Sequence, residues 1–73
     1  MTYYELFRIA RIDAGLTQKD AAKLIGTKQS NISAFENGKL SVSVDYFLAM
    51  AQKMGYRIKF DFVRDLYEIK RYT

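Results

Sequence analysis

Amide, hydroxyl and small side chains are concentrated in the segment 28–34, which contains no acidic residue. An amide such as that of Gln29 both donates and accepts hydrogen bonds, so it can bind an adenine edge at two points. A hydroxyl can pair with any base edge, and an alanine methyl can contact the methyl of thymine. The alternative interpretation of the segment is an ordinary solvated helix face, but such a face usually mixes Glu and Lys. The segment therefore has the chemistry to contact DNA bases, and the candidates are Gln29, Ser30, Asn31, Ser33 and Ala34.

Candidate anion-binding residues flank this segment on both sides. Thr27 and Lys28 stand where the free N–H groups and the dipole of a following helix favour an anion such as phosphate. Asn37 and Lys39 follow the segment and are further candidates for phosphate contacts. The pair Asn37-Gly38 is also typical of a helix-ending turn, and both roles are compatible.

The composition excludes several kinds of chemistry. The 73 residues include no Cys and no His, which removes disulfides, zinc fingers, thiol nucleophiles and histidine general bases. A chain of this length forms one modest core and has little room for a substrate cleft of ~300 Å³. We therefore expect no enzyme, no metal site and no cofactor.

The charge balance fits a polyanionic partner and, equally, the ordinary charge that keeps a protein soluble. The net charge is +4, and it is spread evenly over the two halves of the chain, so there is no basic tail. No apolar run approaches the ~18 residues that span a bilayer, and the N-terminus lacks the pattern of a signal peptide. We expect a cytoplasmic protein without a membrane partner.

Glycines and capping residues divide the chain into four predicted helices. Each glycine follows a helical segment, as is common just past a helix C-terminus. Thr2-x-x-Glu5 has the form of a capping box, and Thr17, Thr27 and Ser43 are candidate N-caps. The predicted helices run from after Thr2 to about Ala14, from Gln18 to Ile25, from Lys28 to about Glu36, and from after Ser43 to about Met54. Their expected apolar stripes include Leu6, Phe7, Ile9, Ala10 and Ala14 in the first helix and Val44, Phe47, Leu48, Ala51 and Met54 in the fourth.

The apolar period changes after Gly55. Tyr56, Ile58, Phe60 and Phe62 alternate with polar residues, which predicts a half-buried strand. Residues 64–73 fit a helix turn and a second strand equally well. The predicted fold is mainly α: a compact bundle of four or five short helices with a C-terminal β-strand. We expect a DNA-binding domain at 1–55 and a probable dimerisation element at 56–73.

The second and third helices meet the three demands of a tightly crossed helix pair. Ala22 is small, Gly26 tolerates a left-handed backbone in the turn, and Ile32 is apolar and points inward. With Leu16-Thr17-Gln18 before them, these residues resemble the helix-turn-helix family of phage repressors and Cro-type regulators. The resemblance covers residues 3–55 and includes Arg11, Ala14-Gly15-Leu16-Thr17-Gln18, Ala22, Ile25-Gly26, Gln29-Ser30, Ile32-Ser33, Phe35-Glu36-Asn37-Gly38-Lys39 and Ser43-Val44.

The resemblance implies a domain that docks on double-stranded DNA as a dimer, with the second motif helix in the major groove. It implies that Gln18 contacts the DNA backbone and steadies Gln29. It also implies an ion pair between Arg11 and Glu36, which we expect to be largely buried because both neighbour core residues.

The leading functional hypothesis is a sequence-specific transcriptional regulator that represses by occupying a two-part operator. We expect a homodimer in which Tyr56, Ile58, Phe60 and Phe62 lie in strands paired across the twofold axis. Exposed apolar residues (Leu6, Ile9, Leu24 and Tyr46) favour such an interface. The competing arrangement is an intrachain hairpin with Arg64-Asp65 as its turn, which we disfavour because these two residues lack the Gly or Asn that tight hairpin turns prefer. The alternative function is an antitoxin-like or protein-interaction module that binds a toxin or another protein.

Overall fold

The computed structural model describes the backbone of residues 2–61 and 66–71 and the side chains of residues 2–59. Its elements are helices α1 (Tyr3–Asp13), α2 (Gln18–Ile25), α3 (Gln29–Glu36) and α4 (Val44–Lys53), followed by strands β1 (Tyr56–Asp61) and β2 (Leu66–Arg71). The prediction of a mainly α bundle with a C-terminal strand is confirmed, and a second strand is added to it.

Three helices begin at the predicted capping residues. Thr2 Oγ1 accepts the backbone N–H of Glu5, whose carboxylate accepts the N–H of Thr2. Thr17 makes the same reciprocal pair of bonds with Asp20. Ser43 Oγ accepts the backbone N–H of Tyr46 at the start of α4. Each cap satisfies backbone donors that have no partner inside the helix, and so fixes where the helix begins.

The predicted start of α3 is wrong by one residue. Lys28, not Thr27, is the N-cap, and no side chain caps this helix. The backbone N–H of Thr27 instead donates to the carbonyl of Ala22, which closes the end of α2. The Lys28 carbonyl accepts the first backbone bonds of α3, from the N–H groups of Asn31 and Ile32.

The core forms where the four helices and β1 meet. It contains Leu6, Phe7, Ala10, Ala21, Ala22, Ile25, Ile32, Phe35, Phe47, Met50, Ala51, Met54, Tyr56 and Ile58. The inward placement of Ala22 and Ile32 is confirmed, as both side chains are almost fully buried.

Three burial expectations are wrong. Ile9 is exposed because it lies two residues after Phe7, about 200° around the helix from that core residue. Val44 is exposed because it is the first residue of α4, beyond the edge of the core. Leu6 and Ile9 are each predicted both in the apolar stripe and among the surface residues: Leu6 is buried beside Phe7, as the stripe predicts, whereas Ile9 is at the surface.

The C-terminal strand pairs within its own chain. β1 and β2 form an antiparallel two-stranded sheet whose register runs from Tyr56↔Arg71 to Asp61↔Leu66. The expectation that β1 lacks a partner in its own chain is therefore wrong, and the competing hairpin is present. That expectation rested on a two-residue turn, which favours Gly or Asn, whereas four residues, 62–65, connect the strands here.

β1 also contributes to the helical core. Tyr56 and Ile58 are buried, and Arg57 and Lys59 are exposed, so the predicted alternation is confirmed over these positions. Phe62, and the side chain of Phe60, lie outside the described residues. In the described part of the chain, no helix is long and apolar enough to cross a membrane.

Candidate nucleic-acid interface

α3 is anchored to the core along one face. Ile32 and Phe35 are buried, and the ring of Phe35 meets that of Phe7 edge-on, with centroids 5.3 Å apart. Because these anchors fix the rotation of the helix, its opposite face points outward. Gln29, Ser30 and Asn31 are exposed on that face, and Ser33 and Ala34 are half-buried at its edge.

The side chains on the outward face differ in how free they are. The side chains of Gln29 and Ser30 make no hydrogen bond to the described residues. The Asn31 amide donates to Thr27 Oγ1 at 2.9 Å, which leaves its carbonyl oxygen and one N–H available. Gln29 is therefore the residue best able to present a donor and an acceptor together to an external group.

The turn between α2 and α3 sets the angle of the outward face. Gly26 has φ +90°, a left-handed conformation that side chains rarely adopt. A Cβ at Gly26 would meet nothing within 4 Å, so the backbone conformation, not crowding, requires glycine here. Lys53 adds a restraint, since its Nζ donates to the carbonyl of Ile25 at 3.2 Å and ties α4 to this turn.

Arg11, Gln18 and Glu36 form a hydrogen-bonded cluster behind the interface. Arg11 Nε and Nη2 donate to the two carboxylate oxygens of Glu36 at 2.6 and 3.0 Å. The Gln18 amide donates to Glu36 Oε1 at 3.2 Å. The Arg11 and Glu36 side chains are 11% and 3% exposed, so the expected ion pair is present and largely buried. It joins α1 to the end of α3, and Gln18 connects the start of α2 to the same point.

The turn after α3 holds two of the predicted phosphate contacts. The Asn37 amide donates to the carbonyl of Ser33 at 2.9 Å, so one of its donors already serves the end of the helix. Gly38 follows with φ +73°. Lys39 is exposed, and its ammonium group makes no hydrogen bond to the described part of the chain.

The charges around α3 favour an anion. Glu36 is the sole charged residue within α3, and its carboxylate is buried against Arg11. Lys28 and Lys39 are exposed just before and just after the helix.

The carboxylate of Asp20, in the first turn of α2, has its pKa lowered by hydrogen bonds from the backbone and side chain of Thr17.

Among the cross-element contacts that the sequence reasoning missed, two join distant parts of the chain. One is the Lys53–Ile25 hydrogen bond, and the other joins the Tyr56 hydroxyl to Asp13 Oδ2 at 2.6 Å. Each connects residues more than 25 positions apart. No local pattern predicts such pairs, because they depend on how the helices cross. Within the described residues, no group of side chains is arranged to hold a metal ion.

A short helix with an exposed amide–hydroxyl face, fixed by a left-handed turn to a preceding helix, defines a helix-turn-helix DNA-binding domain. The chain matches the helix-turn-helix family over residues 7–60 and belongs to it, as a member of the Cro/C1 type. This family is one of DNA-binding domains, not of enzymes, and the protein is a DNA-binding regulator. No curated protein and no solved structure matches the chain.

Proposed function

We propose that the protein is a transcriptional repressor that binds a two-part operator as a homodimer. The observation that carries the proposal is the outward face of α3, where Gln29 and Ser30 are exposed and free of hydrogen bonds to the described residues. Gln29 and Ser30 bind base edges in the major groove, and Asn31, Ser33 and Ala34 border them.

Phosphate contacts frame the base contacts on both sides. Lys28 and Thr27 bind the backbone near the start of α3, and Lys39 binds it beyond the end of the helix. Gln18 keeps one free amide N–H for a phosphate after its bond to Glu36, and Asn37 contacts the DNA backbone by giving up its longer, 3.5 Å bond to the Ser33 hydroxyl. These contacts position the protein, whereas the base contacts select the sequence.

Repression follows from occupancy. A protein that covers an operator blocks polymerase without needing any surface besides the one that binds DNA. We place this activity on DNA in the cytoplasm.

Residues 56–73 provide the dimer contact in this proposal, and residues 1–55 bind DNA. Each strand of the two-stranded sheet is hydrogen-bonded along one edge, and in the described residues the other edge has no strand partner, so a second copy can pair there. Pairing across a twofold axis extends the sheet to four strands. Tyr56 and Ile58 serve the core of their own chain, so the shared contact is made by the strand backbone.

Selection of bound duplexes from a random DNA pool tests the proposal. We expect a recurring sequence of two inverted half-sites, with centres about one helical turn (~34 Å) apart. Affinity for the selected duplex should fall steeply with salt, as phosphate contacts require. Recovery of no preferred sequence, or binding that ignores salt, would contradict it and favour the protein-interaction function.

A further inference from the structure

The ring of Tyr4 lies against the turn that follows α3. A Cβ built on Gly38 would stand 3.1 Å from Tyr4 Cζ and 3.3 Å from its hydroxyl oxygen. These distances are shorter than ordinary van der Waals contact, so the ring fills the space beside the Gly38 backbone. The left-handed φ of +73° favours glycine at position 38, and a Cβ there would also push the Tyr4 ring aside by a few tenths of an ångström.

Tyr4 is itself held firmly. It lies in the first turn of α1, which the reciprocal Thr2–Glu5 bonds fix. The adjacent Tyr3 stacks on Phe47 with ring centroids 5.0 Å apart, which fastens this turn to α4. Tyr4 packs against the core with part of its side chain exposed.

Apart from the Tyr4 ring, the turn is held by its own bonds to the end of α3. The Gly38 and Lys39 N–H groups donate to the carbonyls of Phe35 and Ala34, which ends the helix. Beyond Lys39, residues 40–42 make no backbone hydrogen bond to the described part of the chain. They line a groove together with Thr2, Tyr3 and Tyr4, and Val42 packs against the core.

We propose that Tyr4 is a positioning residue for DNA binding: its ring holds the Asn37–Lys39 turn so that Lys39 meets a phosphate. The inference rests on the proposed function, because it takes Lys39 as a phosphate contact. Tyr4 acts through the turn and not on the bases. It therefore affects affinity for all DNA sequences alike.

The salt dependence of DNA binding separates this role from a merely structural one. Loss of one phosphate contact reduces the slope of log affinity against log salt by about 0.9. A variant that is only less stable keeps the wild-type slope wherever it is fully folded, and circular dichroism at each salt concentration checks that it is. The slope is measured for the wild type, Tyr4→Ala, Tyr4→Phe, Lys39→Gln and the Tyr4→Ala/Lys39→Gln double variant. Ile12→Ala, an exposed apolar truncation on the same helix, is the control.

We expect Tyr4→Ala to flatten the slope toward that of Lys39→Gln and to weaken selected and random DNA by the same factor. Tyr4→Phe should retain the wild-type slope, because the ring and not the hydroxyl restrains the turn. In the Lys39→Gln background, Tyr4→Ala should not change the slope further.

A wild-type slope in Tyr4→Ala, beside a flattened slope in Lys39→Gln, would overturn the role of Tyr4 alone. A flattened slope in Tyr4→Phe would also overturn it, because the hydroxyl and not the ring would then position Lys39. If Lys39→Gln itself kept the wild-type slope, the phosphate contact in the proposed function would fail as well.

Discussion

Arg11 joins three parts of the molecule through one guanidinium group. Two of its nitrogens bind Glu36, and Nη1 donates to the carbonyl of Leu16 at 2.8 Å. Both carboxylate oxygens of Glu36 are thereby used, and the Gln18 amide adds a third donor. The hydrogen bonds offset the cost of removing the two charges from water. If one partner is lost, the other charge stays buried without a counter-charge.

Replacing Arg11 by Gln should therefore destabilise the fold strongly. It leaves the Glu36 carboxylate buried without a counter-charge, which costs ~3–5 kcal/mol in the free energy of unfolding. Chemical denaturation monitored by circular dichroism measures the change. Arg8→Gln, the same substitution at an exposed position of α1, should change stability by less than ~0.5 kcal/mol. Equal stabilities for the two variants would show that the pair contributes nothing.

The residues of the site were predictable to different degrees. The partnership of Arg11 and Glu36 followed from the resemblance to a family, and the outward polar face followed from the positions of Ile32 and Phe35. The bond from Gln18 to Glu36 could not be predicted from the sequence, because it depends on the distance between the start of α2 and the end of α3.

At the scale of elements, α2 depends on its capping box. The Asp20 carboxylate accepts the N–H of Thr17 at 3.1 Å, and this bond favours the charged form. The pKa of Asp20 is lower in the folded chain than in the unfolded one, first because of the backbone bond and then because of the Thr17 side chain. Its contribution to stability is thus present above the ordinary pKa of an aspartate and is lost as the pH falls through the lowered value.

Asp20→Asn should accordingly lower Tm at neutral pH and reduce the loss of Tm in acid. Thermal melts between neutral and strongly acid pH measure both effects. Asp45→Asn, at an exposed aspartate in the first turn of α4, is the control. If acidification lowered the Tm of Asp20→Asn and of the wild type by the same amount, the charge of the Asp20 carboxylate would not contribute to stability.

Local sequence signals predicted the helices better than the sheet. Thr2, Thr17 and Ser43 cap helices by bonding to residues three positions later in the chain. That short spacing can be recognised in the sequence itself. The β1–β2 pairing is harder to predict, because four residues separate the two strands and a connection of this length has no residue preference as strong as that of a two-residue turn. Thr27 was misassigned because a threonine after Gly26 fits both the end of α2 and the start of α3.

At the scale of the molecule, the hairpin has one open edge on each strand in the described structure. The proposed dimer closes one such edge, and it places two α3 helices on one face of DNA. Exposed apolar side chains at Ile9, Leu24 and Tyr46 are consistent with a partner surface, although they lie on different helices.

Sedimentation of the full chain should give a dimer at micromolar concentration. Amide hydrogen exchange adds the location: protection at one edge of the sheet should rise between dilute and concentrated samples. Amides inside α2, which are already bonded within the helix, should not change. A monomer at micromolar concentration, or a dimer with no added protection in the sheet, would contradict pairing through the hairpin.

The central claim is that the outward face of α3 reads DNA sequence, and Gln29→Ala tests it most directly. Affinities of this variant and the wild type are measured on the selected operator and on random duplex at one salt concentration. Gln52→Ala, an equal truncation at an exposed glutamine of α4, is the control and should bind both like the wild type. We expect Gln29→Ala to lose ~1–3 kcal/mol on the operator and almost nothing on random DNA, because the lost bonds were to a base. Equal weakening on both duplexes, or no weakening on the operator, would contradict the claim.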